Sequence, residues 1–244
     1  MLHQHRARRA ATRAQVSGVA SHAMDLYEVM RTAFSARDFI DAPVPDEVVH
    51  RILENARFAP SGGNRQGWHV IIVRDDAKRA RLADLMLPAF RRYRAQQQIG
   101  ESPWQTVTPT AVTAEQIASV PTGGSFPAQL AMAPVVLLIC VDLRVVASMD
   151  HELDRVGVIS GASIYPFAWN ILLAARNEGL GGTLTTFITA AEPDVKELFN
   201  LPAYMAVCAL LPIGKPVRQL TKLRRKPVPD FTTVDAWDGE PFGR

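Results

Sequence analysis

The hydrophobic positions of the chain follow two different spacings. Some segments carry apolar side chains three and four positions apart, as on one face of an α-helix, and others are short continuous apolar runs, which are typical of strands covered on both faces. The first spacing predicts helices over residues 24–35, 45–59, 76–98, 157–178 and 191–199. The continuous runs predict strands over residues 69–73, 135–141 and 205–211. Because strands alternate with helices, the pattern indicates an α/β or α+β fold.

Proline and glycine mark the ends of two of these helices. Pro45 and Asp46 open the second helix, and Pro60 stops it, because proline fits the first turn of a helix and not its interior. Gly179 follows the long apolar helix, where glycine accepts the left-handed conformation that ends a helix. Residues 181–186, after that glycine, are predicted to form a loop or a short strand.

Three segments lack any periodicity. Residues 99–133 contain four prolines and a Gly-Gly pair, and a stretch of this length is typical of a lid or an insertion. Residues 215–244 are Pro-rich and too irregular for a core of their own. Residues 1–23 carry arginines, no acid and no apolar signal-peptide core, so we predict a disordered basic tail in preference to a targeting peptide. With no repeat or linker, residues 24–244 are predicted to form one domain.

Composition and charge exclude several classes of protein. Hydrophobic residues make up 48% of the 244 residues, enough for a sizeable core, and no apolar run is long enough to predict a membrane span. The net charge is +3, but four arginines lie in residues 1–23, so the remaining residues carry −1. Nucleic-acid binding needs a basic stripe on the folded body, and we therefore predict none.

The two cysteines give no sign of redox or metal chemistry. Cys140 and Cys208 each lie inside an apolar run and have no CxxC spacing, so both are predicted to be small buried hydrophobic residues. Nothing in the sequence suggests an oxidising compartment, and we expect a cytoplasmic protein. The six histidines show no metal-ligand spacing, and the acidic residues around His151 are interpreted as a solvated loop.

Three clusters of polar and cationic residues are candidates for a binding site. They are Arg31, Ser35 and Arg37 at the end of the first helix, the loop from Pro60 to Gln66, and the basic run Lys222, Arg224 and Arg225. Arginine matches phosphate oxygens with two parallel hydrogen bonds, and glycines let backbone approach a flat ligand closely. Taken alone, the arginines of the first cluster are equally explained as a helix cap, and the other two clusters are more often an ordinary turn and a solvated surface. Together they fit a phosphate-bearing aromatic cofactor such as FMN.

Other nucleotide and hydrolase motifs are missing from the sequence. Neither GxGxxG nor GxxxxGK[ST] occurs, and Ser163 does not lie in a Gly-x-Ser-x-Gly elbow. No general base is evident, and we assign no catalytic side chain.

At these clusters the chain resembles the FMN-dependent nitroreductase family. The strongest stretch is PVPDEVVHRILENARFAPSGGNRQGWHVIIV, which is similar to the family's helix, loop and strand with its Pro-Ser-x-x-Asn-x-Gln-x-Trp pattern. GASIYPFAWNILLAARNEGLGGTLTTF resembles the central helix and the Gly-Leu-Gly turn after it. LPIGKP, followed by LRRKPV, resembles the last core strand and the phosphate-binding tail. The resemblance covers about residues 25–235.

The resemblance implies a fold, an assembly and a set of cofactor contacts. The fold is an α+β sandwich with a mostly antiparallel central sheet flanked by helices, in a homodimer with exchanged chain termini and FMN at two interface sites. The implied cofactor-binding residues are Arg31, Ser35, Arg37, Pro60, Ser61, Gly62, Asn64, Gln66, Thr185, Thr186, Arg224 and Arg225. Part of the Ser61–Gln66 loop is expected to reach the flavin of the partner subunit, and Lys222 is a possible helper at the phosphate.

The chain departs from the family at one phosphate contact. The family usually has Arg-Arg-Ser before this segment, whereas Ala33 and Phe34 precede Ser35 here. Our hypothesis from the sequence is that Arg31, half a helical turn away, supplies the missing contact.

The implied reaction is a ping-pong hydride transfer from NADH or NADPH to a small-molecule acceptor, such as a nitroaromatic or a quinone. Three alternatives stay open: a reductive dehalogenase, a flavin-degrading enzyme and a flavin-binding protein without turnover. A dehalogenase requires a lid that clamps an amino acid, and Glu101 and Glu115 alone do not establish one. A nucleic-acid binder would depend on residues 1–23 alone.

Overall fold

The computed structural model describes residues 24–124 and 126–243. The basic tail predicted over residues 1–23 lies outside the described residues. The helices are α1 (Leu26–Thr32), α2 (Asp46–Ala56), α3 (Asp76–Gln98), α4 (Ala114–Ala118), α5 (Phe126–Ala131), α6 (Tyr165–Asn177) and α7 (Glu192–Phe199). The strands are β1 (Trp68–Ile72), β2 (Val135–Asp142), β3 (Gly181–Gly182) and β4 (Met205–Gly214). Short 3₁₀ turns occupy Gly62–Asn64, Leu143–Val145, Ile159–Ser163, Phe187–Ala191 and Val228–Asp230.

The four strands form one antiparallel sheet in the order β1-β2-β4-β3. β2 and β4 are the central strands and are buried along almost their whole length, which explains their continuous apolar sequences. The register shifts between Ile139 and Cys140 of β2, where β4 has one extra residue, Cys208, as in a β-bulge. The predicted α+β class with an antiparallel central sheet is confirmed.

The core has one layer on each face of the sheet. Alternate residues of β2 point to opposite faces, so Leu137 and Ile139 pack in one layer and Leu138 in the other. The first layer is completed by α2 and α6, and the second by α3, α5 and α7. Ile52 of α2 is almost completely buried in the first layer, a burial that contributes about 1.5–3 kcal/mol.

The long helix predicted over residues 157–178 is shorter in the structure. α6 begins only at Tyr165, with Pro166 in its first turn. Pro166 would lie in the interior of the longer helix, where proline lacks the N–H needed for an intrahelical bond and its ring clashes with the preceding turn. Residues Ile159–Ser163 form a 3₁₀ turn instead, and the Asp150 carboxylate accepts the backbone N–H groups of Val158, at 2.7 Å, and Ile159. Gly179 has φ of 76°, so the prediction that it caps the helix is confirmed.

The segment predicted to be irregular, residues 99–133, contains α4 and α5. α4 starts with a capping box in which the Thr113 hydroxyl accepts the Gln116 N–H and the Gln116 side chain accepts the Thr113 N–H. Thr-x-x-Gln is visible in the sequence, and this signal was missed. The Glu101 carboxylate ties the start of the segment together by accepting from the Thr110 hydroxyl and the Ala111 N–H, both at 2.6 Å.

Among the described residues, no helix has both the length and the apolar character needed to cross a membrane. Cys140 and Cys208 are free cysteines, and both are buried, as predicted. Burial raises the pKa of each thiol to about 12, which makes both unreactive as nucleophiles.

Candidate functional site

The segment after α1 lies against the short strand β3. Ser35 forms a parallel bridge with Gly182, and the Ala36 N–H donates to the Gly182 carbonyl at 3.0 Å. Glycine suits both sides of β3, since a Cβ on Gly181 would lie 3.0 Å from the Cβ of Ala36, and a Cβ on Gly182 would lie 2.7 Å from the Pro212 carbonyl oxygen of β4. The Gly-Gly pair therefore brings the first predicted cluster onto the end of the sheet.

A small cavity opens beside this bridge, with a volume of about 140 Å³. Its lining residues are Ala33, Phe34, Ser35, Trp169, Leu172, Arg176, Gly181, Gly182 and Arg225. The cavity thus joins Ser35 of the first predicted cluster to Arg225 of the third, although the two are far apart in sequence. We call this set of residues the cationic cavity.

Two guanidinium groups line the cationic cavity. The Arg176 Nε donates to the Thr32 hydroxyl at 2.9 Å, and the Arg225 Nη1 donates to the Arg224 carbonyl at 2.7 Å. Within the described part of the chain, neither arginine has a carboxylate oxygen within 4.0 Å. The cavity is therefore suited to an anion, because its positive charge is not neutralised by the protein.

Arg31 and Arg37 lie outside the cationic cavity. Arg31 is exposed in the last turn of α1, and its Cζ atom lies 5.7 Å from the centre of the Tyr27 ring. Arg37 donates to the Ser35 carbonyl at 3.1 Å, and its Cζ atom lies 5.2 Å from the centre of the Phe126 ring. The structure thus separates these two arginines from Arg225.

The loop from Pro60 to Gln66 is held in an unusual backbone conformation. Gly63, Asn64 and Gln66 have φ of 60°, 53° and 51°, in the left-handed region that few residues other than glycine adopt. The Ser61 hydroxyl accepts the Gln66 N–H at 2.9 Å, and the Gln66 amide donates to the Asn64 side chain at 3.2 Å. These bonds leave an exposed ridge of amide and hydroxyl groups.

Within one chain the loop and the cationic cavity lie near opposite ends of α6. The Gly62 N–H donates to Ser163, just before α6, at 3.2 Å, whereas Arg176 lies in the last turn of that helix. α6 has 13 residues, a length of about 20 Å. One chain therefore does not bring its second predicted cluster to the first and third.

Thr185 and Thr186 differ in what they offer a ligand. Thr185 is buried, and its N–H and carbonyl are both bonded to Leu210, at 3.0 and 2.9 Å. Thr186 is exposed and precedes Phe187, which packs edge-to-face on Phe126 beneath Arg37. Of the two threonines, only Thr186 is exposed, and it is the neighbour in sequence of the Phe187 ring that contacts Phe126.

Sequence reasoning missed Arg176 and Trp169, which both line the cationic cavity from α6. The only sequence signal for Arg176 was a basic residue in the last turn of a helix, and such a residue is usually explained by the helix dipole. Among the residues that the structure describes, no group of three or more His, Cys, Asp or Glu side chains is placed to hold a metal ion.

Comparison with known proteins identifies the family. The model of the nitroreductase family matches residues 30–215, so the chain belongs to the nitroreductase family. Nitrobenzene nitroreductase of Ectopseudomonas oleovorans is 26% identical over 203 residues, which are 77% of this chain and 85% of that protein. The iodotyrosine dehalogenase 1 homolog of Caenorhabditis elegans is 27% identical over 212 residues, and these span 85% of this chain but only 60% of that protein.

A solved structure supports the fold assignment. The NADPH:FMN oxidoreductase of Vibrio harveyi, complexed with NAD⁺, superimposes with a TM-score of 0.58 at 22% identity. The match covers 82% of this chain and 72% of the Vibrio harveyi chain.

Proposed function

We propose that this chain is the subunit of a homodimeric, FMN-dependent oxidoreductase that uses NADH or NADPH to reduce an electron-poor acceptor such as a nitroaromatic or a quinone. The observation that carries the proposal is the cationic cavity, where Ser35 and Arg225 meet against the backbone of Gly182. The names of similar proteins support the proposal, because these proteins include a nitrobenzene nitroreductase and an NADPH:FMN oxidoreductase.

The residues of the cationic cavity fit the phosphate group of FMN. Pockets that enclose a whole ligand usually have volumes of about 300–1,000 Å³, whereas this cavity has about 140 Å³. It is large enough for only part of a cofactor, and its two guanidiniums and the Ser35 hydroxyl are suited to phosphate oxygens. The rest of the cofactor then requires further walls.

We propose that a second subunit supplies these further walls. Tyr165 and Trp169 on α6 are 40% and 44% exposed, which leaves an apolar face on the helix that joins the loop to the cavity. Antiparallel packing of this face on its copy would place the Ser61–Gln66 loop of one subunit beside the cationic cavity of the other. The predicted sharing of each FMN between subunits follows from that arrangement.

The C-terminal segment supports exchange of termini between the subunits. The hydrogen bonds that the structure shows for residues 227–242 all close within that segment. Five large apolar side chains of this segment are exposed, and apolar residues grouped in this way favour an interaction surface: Val228, Phe231, Val234, Trp237 and Phe242. Within the described part of the chain, β1 pairs only with β2, so its other edge is available to a segment from the partner.

When bound, FMN would supply the group that accepts a hydride from the nicotinamide and passes it to the acceptor. The chain's own residues have positioning roles. Arg37, held over Phe126, brings positive charge to the proposed ring site, and the exposed Thr186 offers its backbone N–H and hydroxyl there, since its carbonyl accepts hydrogen bonds from Thr189. Asn64 and Gln66 would hydrogen-bond the polar ring edge from the partner loop. Hydride transfer requires no general base, and we propose none.

Glu101, one of the two acids considered for a dehalogenase lid, is engaged within the chain itself. Both carboxylate oxygens of Glu101 already accept hydrogen bonds, from Thr110 and from the Ala111 N–H. The Thr110 hydroxyl, followed by the Ala111 N–H, lowers the pKa of the Glu101 carboxyl. Glu101 therefore stabilises the fold of residues 101–111 and is not presented to an amino acid substrate.

The test is the absorption spectrum of the purified protein, followed by anaerobic addition of NADH or NADPH. We expect flavin absorption bands, and we expect one of the two nucleotides to bleach them. A bound flavin that neither nucleotide bleaches would favour the flavin-binding protein without turnover. A colourless monomer that takes up no added FMN would contradict the proposal altogether.

A further inference from the structure

We infer that Arg176 is a phosphate-binding residue of this site, and that it replaces the arginine that the chain lacks at position 33. The inference rests on the proposed function and names a contact that the sequence hypothesis had given to Arg31. Arg176 belongs to α6, whereas Ala33 follows α1, so the replacement is visible only in the folded chain.

Position is the first argument. Ala33 and Arg176 line the same cationic cavity, together with Ser35 and Arg225. Ala33 is 8% exposed and ends in a methyl group, so the space that a longer side chain would fill there remains open to a guanidinium from α6. An arginine at position 33 or at position 176 would place its positive charge in the same cationic cavity.

Orientation is the second argument. The Arg176 Nε is fixed by the Thr32 hydroxyl, which itself donates to the Glu28 carbonyl at 2.7 Å. Thr32 is 6% exposed, so this anchor is shielded from water. The structure shows no partner among the described residues for the two terminal nitrogens of Arg176. The anchored guanidinium therefore presents a fork whose orientation is set before a ligand arrives, which reduces the entropy lost on binding.

Charge is the third argument. The helix dipole alone favours a cation in the last turn of α6, but it does not explain why a second arginine, Arg225, reaches the same cavity. Two like charges that share a cavity repel each other unless an anion is bound between them. By contrast, Arg51 at the same end of α6 is paired with Glu178 at 2.8 Å. Arg176 is thus distinguished from a structural arginine nearby.

The experiment compares FMN with riboflavin, which is the same flavin without the phosphate. Dissociation constants are measured by quenching of flavin fluorescence for the wild-type dimer and for Arg176→Ala. A charged hydrogen-bonding contact is worth roughly 10- to 100-fold in affinity, so we expect Arg176→Ala to weaken FMN by that factor. Riboflavin binding should change by less than about twofold, because riboflavin has no group in the cavity.

Three further variants separate phosphate binding from a structural role. Arg51→Ala removes another arginine that ties α6 to its neighbours, and it should leave both dissociation constants unchanged. Arg176→Lys keeps the charge but not the fork, and it should weaken FMN by less than Arg176→Ala does. The double variant Ala33→Arg/Arg176→Ala should recover FMN affinity, because it returns a guanidinium to the cavity from the other side.

Two results would overturn the inference. Equal weakening of FMN and riboflavin by Arg176→Ala would show that Arg176 only joins α1 to α6. Unchanged FMN affinity in Arg176→Ala, with weakening in Arg31→Ala, would return the contact to Arg31. Failure of the proposed function is distinguishable from both results, because it would appear in the wild-type protein as no uptake of FMN.

Discussion

Replacement of Gly182 by alanine tests how tightly the site segment is packed on the sheet. An added Cβ would lie 2.7 Å from the Pro212 carbonyl oxygen, 2.9 Å from Leu172 Cδ2 and 3.0 Å from Ile213 Cγ1, whereas ordinary contacts are 3.4–4 Å. The carbonyl belongs to β4 and moves only with the sheet, so the clash is not relieved by a side-chain rotation. Overpacking of this kind costs about 1–3 kcal/mol.

The assay for Gly182→Ala is thermal unfolding of the flavin-free protein at one fixed concentration, since the Tm of a dimer depends on concentration. For a chain of this size each kcal/mol lowers Tm by about 2–4 °C, so we expect a decrease of roughly 2–12 °C. The matched control is Gly123→Ala, because a Cβ there meets no atom of the described residues within 4 Å and the Tm of this variant should barely change. Equal Tm values for the two variants would refute the reasoning.

Three other predictions follow from buried or unpartnered groups. Cys140 and Cys208, whose pKa values are raised to about 12 by burial, should not react with a disulfide reagent at pH 8 in the native protein and should react fully after unfolding. The Val158 N–H lowers the pKa of Asp150 to about 2 from an ordinary 3.8, so the ionised carboxylate stabilises the fold fully above about pH 4, and this stabilisation is lost as the pH falls towards 2. Asp150→Asn should therefore be less stable than the wild type at pH 7. In urea unfolding, the free energy of unfolding of Asp150→Asn should decrease less between pH 7 and pH 3 than that of the wild type. Trp169→Glu places a charge on the apolar face of α6 and should give monomers in light scattering, and an intact dimer would contradict the proposed interface.

The sequence was most informative where one element depends on its own residues. The start of α2 was predicted to within one residue, because its apolar face and Pro45 before its first turn are local features, although the helix ends three residues before the predicted end. The two central strands were predicted because strands buried on both faces are apolar throughout. The start of α6 was predicted wrongly, because proline fits the first turn of a helix but not its interior, and Pro166, a local signal, was not used to set the start.

The binding site was harder to predict because it is made by tertiary contacts. The motifs identified Ser35 and Arg225 as candidates, and the structure places both in the cationic cavity. Arg176 could not be assigned from sequence, since its partner Thr32 and its neighbour Arg225 come from distant segments. Arg31 remains a sequence-based hypothesis, and the structure places it on Tyr27 outside the cavity.

The central claim is that each FMN is held by the cationic cavity of one chain and the Ser61–Gln66 loop of its partner. The most direct measurement is FMN titration of a mixed dimer, purified with two different tags, in which one chain carries Arg225→Ala and the other carries Asn64→Ala/Gln66→Ala. A site shared between chains leaves one site of the mixed dimer intact, so we predict wild-type FMN affinity at that site, although each variant alone binds weakly. If no tight site is found in the mixed dimer, each chain holds its own cofactor and the account is contradicted.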